Sequence, residues 1–516
     1  MSRFALSPAL LVVWGRETRA LRCFLGLLSC SHFSIIPRSK KLGFRPRLLH
    51  CRRCDWIGLS ETKLVVHLNS DWRRDSVSRW NLHLNFRGTS FSVLRLVLLI
   101  SVLSAVGCMT ASRPSRELMP TPLALSLGLT HPGSNCLESL TESLVPVFVI
   151  SGRNVEAESG ALDPFGNKRS HSPTLGIARV QIGKGLTKEE LYEETVKACN
   201  KKKALVEFER IELNETPIEI DPWHVKDDLV RHRENPWVQA LNRQLSESKQ
   251  RNVCIFVHGY NTSFIDNTLL AAEMFHYSGR QGAMISFEWP SESSVLGYLA
   301  DKGNATFSTR HFRRLITNLA KECDIDSVTI IGHSAGTPIV VNAMRELRLL
   351  ENDLTPEQVQ AKYQIDRVVL AAPDMDLMAF VNAIHDRFFE LANGVAVYAS
   401  PNDKALGLSQ LLYSEKRLGR SVGGLEEWER QVLMKVESIE MIDASRVDKD
   451  ANSFLGHSYF HRDPWVSSDI GSFILGVSPE DRKLVREGDN VFWAFPEDYP
   501  ERLLKDLPEV VSVVKK

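Results

Sequence analysis

The stretch VTIIGHSAGTPIVVNAMREL, residues 328–347, decides the reading of this chain. It opens on an apolar run, passes through Gly332-His333-Ser334-Ala335-Gly336, and continues with Ile339, Val340, Ala343, Met344 and Leu347 at helical spacing. A strand thus meets a helix across a single tight turn. Glycines on both flanks of Ser334 leave room for neighbouring backbone, so a serine here can stand clear of the surface in a strained conformation. The helix start turns amide N–H groups, beginning with that of Ala335, toward any oxyanion formed beside the serine. Pro338 is compatible with this only because it lies in the first turn.

Outward from that turn the same alternation repeats. Short, wholly apolar runs (VCIFVHG from 253, AMISFEWP from 283, DRVVLAAP from 366, GVAVYASP from 394) are separated by helix-length segments. Strands apolar throughout belong to a parallel sheet covered on both faces. The fold class is therefore α/β, a doubly wound, mostly parallel sheet with helices on both faces. LVPVFVI (144–150), TLGIARVQI (174–182) and ALVEFERIEL (204–213) read as its opening strands. The pattern spans residues 144–480, with 481–516 as a C-terminal extension.

In such sheets ligands bind beyond the carboxyl ends of the strands, where Ser334 falls. A hydrolase of this layout needs its partners in the chain order serine, acid, histidine. Asp403, after the strand GVAVYAS, is the candidate acid, although helix N-capping before KALGLSQLL would also explain it. Asp374 and Asp376, one strand earlier, occupy the alternative position. Only His457 and His461 lie beyond Asp403. His457, beside Gly456, suits a loop-borne base, whereas His461 looks like a helix-entry residue. His457 would take the proton of Ser334 as the hydroxyl attacks an acyl carbonyl, with Asp403 orienting the imidazole. A second oxyanion donor is expected from His258-Gly259-Tyr260-Asn261, where the N–H of Tyr260 is the first candidate and Asn261 the second.

Taken together, IFVHGYNTSF (255–264), FEWPS (287–291), GHSAG, AAPDMD, YASPNDKAL (398–406) and GHSYF (456–460) resemble the motifs of bacterial α/β hydrolases catalogued as a domain of unknown function. LMPTP at 118–122 and FGNKRS at 165–170 are similar to that family's N-terminal features. The resemblance spans about residues 108–480. It implies the α/β-hydrolase fold and supports Ser334, Asp403 and His457 position by position, without implying a substrate. The expected activity is hydrolysis of carboxylic esters, of small molecules or lipids. A peptidase, amidase or thioesterase would use the same residues, and a membrane-tethered scaffold of this fold would need none of them. Trp289 and Tyr298 are candidates for an acyl site, Trp289 equally for the core.

Hydrophobic residues make up 43% of the chain and charged residues 24%, proportions of a globular protein rather than a disordered one. The formal charge of zero conceals a division: residues 1–100 hold 17 Lys and Arg against 5 Asp and Glu, leaving 46 against 58 for the rest. Five of the nine cysteines precede residue 110. Cys51 and Cys54 have metal-ligand spacing but no second pair, so no metal is expected. Nor is any cofactor or nucleic acid, because the body has no Gly-rich phosphate loop or basic groove.

Residues 1–92 form a basic leader without periodicity. In 93–107, Arg95 precedes an apolar stretch of about a dozen residues, too short to span a membrane, ending in Ala105-Val106-Gly107-Cys108. That end resembles a lipobox, with Cys108 as the lipidated first residue, residues 108–143 as a tether, and a location in the periplasm or cell envelope. Such a signal belongs at a chain start, which favours translation beginning close to residue 93. Expression from the native gene should yield a membrane-bound chain that begins at lipidated Cys108. Intact mass decides this: a soluble chain with Met1 and an unmodified Cys108 would refute it.

Overall fold

The computed structural model describes residues 115–129, 144–156, 162–197, 204–214, 235–292, 297–447, 456–486 and 491–505, with residues 298–300 described by their backbone alone. The leader, the signal-like segment and Cys108 lie outside the described residues.

Twelve strands form one sheet. They are β1 (Ser115–Glu117), β2 (Leu144–Val155), β3 (Phe165–Ile182), β4 (Leu205–Leu213), β5 (Asn252–Val257), β6 (Ala283–Glu288), β7 (Ser327–His333), β8 (Ile365–Ala371), β9 (Ala392–Ala399), β10 (Ile439–Asp443), β11 (Val485–Arg486) and β12 (Phe492–Ala494). Their order across the sheet is β1-β4-β3-β2-β6-β5-β7-β8-β9-β10-β12-β11. From β2 to β12 every neighbouring pair is parallel, and antiparallel pairing is confined to the two margins. This is the doubly wound, mostly parallel sheet expected from the sequence.

Period-two alternation divides the apolar strands between two cores. Val253, Ile255 and Val257 of β5 face one core, whereas Phe256 faces the other. β9 does likewise, with Val395, Val397 and Ala399 against Ala396 and Tyr398. The first core is covered by α1 (Pro236–Glu247), α2 (Tyr298–Glu322), α3 (Thr337–Leu350) and α4 (Leu377–His385). The second is covered by α5 (Phe264–Tyr277) and α6 (Pro464–Ile474). Local chemistry fixes where these helices begin. The Ser263 hydroxyl accepts from the Asp266 N–H at the start of α5, and Asn235 accepts from the Trp237 N–H with Pro236 in the first turn of α1.

Two boundaries read from the sequence are too narrow. Part of the expected tether is ordered, since Ser115–Glu117 pairs antiparallel with β4 and the Met119 N–H donates to buried Glu273 at 2.9 Å. At the other end β11 and β12 extend the sheet beyond residue 480, with β12 parallel to β10. Arg482 also anchors this end. Its buried guanidinium donates to Asp469 at 2.8 Å and to Glu440 at 2.6 Å, and Tyr398 donates to the other Asp469 oxygen at 2.7 Å. Strands this short carry too little periodic signal to be found in a sequence. FGNKRS (165–170) forms the first part of β3.

Candidate active site

Parallel β7 ends at His333, and Ser334 follows with φ at +50°, in the left-handed region that a non-glycine residue enters only at a cost. That cost is about 1–3 kcal/mol and must be held in place by the surroundings. Here hydrogen bonds fix the Ser334 carbonyl, from the Thr337 hydroxyl at 2.7 Å, from the Thr337 N–H and from the Asp374 N–H at 3.2 Å. Ser334–Gly336 form one tight turn that runs directly into α3, with Pro338 in the first turn.

The flanking glycines serve close approach between backbones. A Cβ on Gly336 would lie 2.3 Å from the His258 carbonyl oxygen, and one on Gly259 would lie 2.8 Å from Ser334 Cβ. The turn after β5 and the turn after β7 therefore interlock, with Tyr260 directly following Gly259 in the first and Ala335 directly following Ser334 in the second. Asn261 takes the left-handed conformation, φ +54°, that Asn tolerates better than most residues.

His457 completes the group. It follows Gly456, which has φ +62°, in the short loop before the turn Tyr459–Arg462. Its Nε2 is 2.7 Å from Ser334 Oγ and its Nδ1 is 2.6 Å from Asp403 Oδ2. Those partners assign the tautomer: Nδ1–H donates to the carboxylate, and Nε2 accepts from the serine hydroxyl. Asp403 is fully buried, and its other oxygen accepts from the Leu406 N–H at 2.9 Å, capping α7 (Lys404–Tyr413). Asp403 thus caps α7 through one oxygen and meets His457 through the other.

The alternatives are engaged elsewhere. Asp374 accepts from Ser409 Oγ at 2.6 Å and faces Arg417 Nε at 3.4 Å, and Asp376 caps α4 through the Ala379 N–H. His461 lies in the turn Tyr459–Arg462, buried, and burial holds its imidazole well below the usual value. Trp289 belongs to the core: it is fully buried, stacks on His258 at 5.2 Å and donates its indole N–H to the His258 carbonyl at 2.7 Å. The side chain of Tyr298 lies outside the described residues.

Three participants were not read from the sequence. His333 is kept neutral, its pKa pulled well below the ordinary value by burial and then by His457. Its Nε2 donates to the His457 carbonyl at 3.3 Å, steadying that loop. His258 is pushed down to about 3, chiefly by burial and then by the charge of Arg153. Its Nδ1–H donates to the Gly259 carbonyl at 2.8 Å, and its Nε2 accepts from the Trp289 N–H at 3.3 Å. Glu288, fully buried between Asn267 and Ser286, is raised by burial to about 7. The histidines sit inside motifs already noted, yet nothing in a lone sequence marks them as buried and neutral.

Among the described residues no group of three or more His, Cys, Asp or Glu could hold a metal ion, and no helix is long and apolar enough to cross a membrane. Cys51 and Cys54 fall outside them.

Residues 234–474 match a family described as "alpha/beta hydrolase of unknown function (DUF900)". Among solved structures, the chain is similar to esterase B of Lactobacillus rhamnosis in its tributyrin phosphonate-inhibited form. That match has 11% identity, covers 51% of this chain and 79% of that one, and has a TM-score of 0.27. It is also similar to a Lactobacillus plantarum protein provisionally described as a cell surface hydrolase, at 13% identity, covering 46% and 96% of the two chains, with a TM-score of 0.27. Neither likeness bears on the substrate. No curated protein matches the chain.

The interlocked turns set a direct test. Gly336→Ala places a methyl group against backbone rather than a yielding side chain, so it should destabilise the fold by about 1–3 kcal/mol. Gly424→Ala, whose Cβ would meet only the Ser421 carbonyl at 3.8 Å, should be tolerated. Urea unfolding of both variants checks this, and equal midpoints would show that the turns are not tightly interlocked.

Proposed function

We propose that this chain, which carries an α/β-hydrolase domain, is a serine hydrolase of carboxylic esters, working through an acyl-enzyme intermediate and tethered to the bacterial envelope by lipid on Cys108. The catalytic reading is carried by one observation, the unbroken hydrogen-bond chain from Asp403 through His457 to Ser334. A scaffold would gain nothing from a serine held at positive φ, and the strain itself argues for use.

The chemistry follows from the parts. Ser334 Oγ attacks the ester carbonyl while its proton passes to His457 Nε2. Negative charge moves onto the carbonyl oxygen, where the N–H groups of Tyr260 and Ala335 receive it. One such donor is worth about 2.7–4 kcal/mol of transition-state stabilisation. The C–O bond to the alcohol breaks, and His457 returns the proton to the departing oxygen, leaving Ser334 acylated. Water then repeats the sequence, losing a proton to His457 and releasing the carboxylic acid. Asp403 stays ionised throughout, holding the tautomer and balancing the imidazolium charge.

Asp403→Asn tests the assignment cleanly, because Asn also caps helices well and should preserve α7. An amide in that place favours the wrong tautomer, so turnover of a soluble p-nitrophenyl ester should fall by about 10⁴. Asp374→Asn and Asp376→Asn should stay within about tenfold of wild type. Near-normal rates in Asp403→Asn, with collapse in either of the others, would move the acid to the loop after β8.

A further inference from the structure

A single buried arginine ties together the loops around the reading just proposed, on which this inference rests. Register shifts in the β2–β3 ladder fall on both sides of Arg153, and such irregularities re-aim side chains. The Arg153 side chain is 2% exposed. Its Nη2 donates to the Thr262 carbonyl at 2.9 Å, and its Nη1 donates to the Ser291 carbonyl at 3.2 Å and to Asn167 Oδ1 at 3.1 Å. Its Nε faces Glu288 Oε2 at 3.8 Å. Thr262 ends the HGYNT turn that carries Tyr260, while Ser291 ends FEWPS. One guanidinium thus bridges the two motifs.

Glu288 is fixed in turn. It accepts from Asn267 Nδ2 and Ser286 Oγ, both at 2.6 Å, and its second oxygen lies 3.5 Å from His258 Nε2. The His258 carbonyl is the atom nearest to any Cβ placed on Gly336. Arg153, Glu288 and His258 thus lie side by side as buried polar groups, and the backbone of His258 packs against the Ser334 turn.

We propose that Arg153 is a positioning residue for ester hydrolysis, holding the turn Gly259–Thr262 so that its amide meets the oxyanion formed at Ser334. It touches neither substrate nor nucleophile. Its effect is geometric: a displaced donor weakens binding of the charged tetrahedral species and leaves binding of the neutral ester almost unchanged. Lysine cannot replace it, since an ammonium lacks the planar fork that reaches carbonyls from two loops and the side-chain amide of Asn167 in β3.

The test compares wild type with Arg153→Met, Arg153→Lys and Asn167→Ala, the last removing one anchor of the guanidinium at an exposed position. For a soluble p-nitrophenyl ester, kcat should fall about 10²–10³-fold in Arg153→Met, the loss expected of one oxyanion donor, with KM within about threefold. Arg153→Lys should lose nearly as much, and Asn167→Ala a few-fold. The Ki of an aryl trifluoromethyl ketone, which forms an oxyanion on Ser334, should rise in step with the loss of kcat. A merely structural residue would not keep that proportion. If Arg153→Met fails to fold, the other two variants carry the comparison. Unchanged kcat in the folded variants, or lower kcat with unchanged Ki, overturns the positioning role. Wild type without turnover overturns the serine-hydrolase reading itself, a distinct result.

Discussion

The arrangement depends on a close approach between two backbone turns. β5 and β7 are adjacent and parallel, so the turns leaving their carboxyl ends compete for the same space. Glycine at 259 and 336 resolves the conflict by removing the side chains that would collide. What remains is a serine forced to positive φ, its hydroxyl turned toward His457, with a backbone turn on one side and a helix start on the other. Hydrogen bonds to the Ser334 carbonyl and the packing of α3 hold that strain. The strained serine is a consequence of the sheet's geometry.

Beneath the interlocked turns lies an unusual amount of buried polarity. Arg153, His258 and Glu288 are all removed from water within the same region, and His333 is partly buried. Each group costs free energy to bury, and the structure answers with hydrogen bonds to backbone carbonyls and to Asn267 and Ser286. Burial drives His258 down to about 3 and Glu288 up to about 7, so the histidine is neutral near pH 7. An apolar filling of the same volume would be cheaper. Retaining polar groups here makes physical sense if they define a unique geometry for the turn above them, as one guanidinium reaching two loops and β3 does.

Much of this was legible in the sequence because it follows from short-range rules. Strand–turn–helix patterning located Ser334, strand order located Asp403, and the scarcity of histidines beyond residue 403 left His457 with one rival. In the structure each of the three aspartates has a different hydrogen-bond partner: His457 for Asp403, Ser409 for Asp374 and the Ala379 N–H for Asp376. What stayed hidden is long-range. Arg153 meets Thr262 and Ser291 across 109 and 138 residues, and no periodicity reports such contacts. The margins of the sheet were hidden for another reason. β1 and β11 have three and two residues and read as connecting segments until their neighbours are known.

Whether Ser334 is a nucleophile can be measured directly. A fluorophosphonate reacts with a serine hydroxyl only where a base and oxyanion donors activate it. Folded full-length protein treated with such a probe at neutral pH, digested and analysed by mass spectrometry, should carry one adduct per chain on the peptide containing Ser334. Ser334→Ala should carry none. A folded wild-type chain that remains unlabelled would contradict the account.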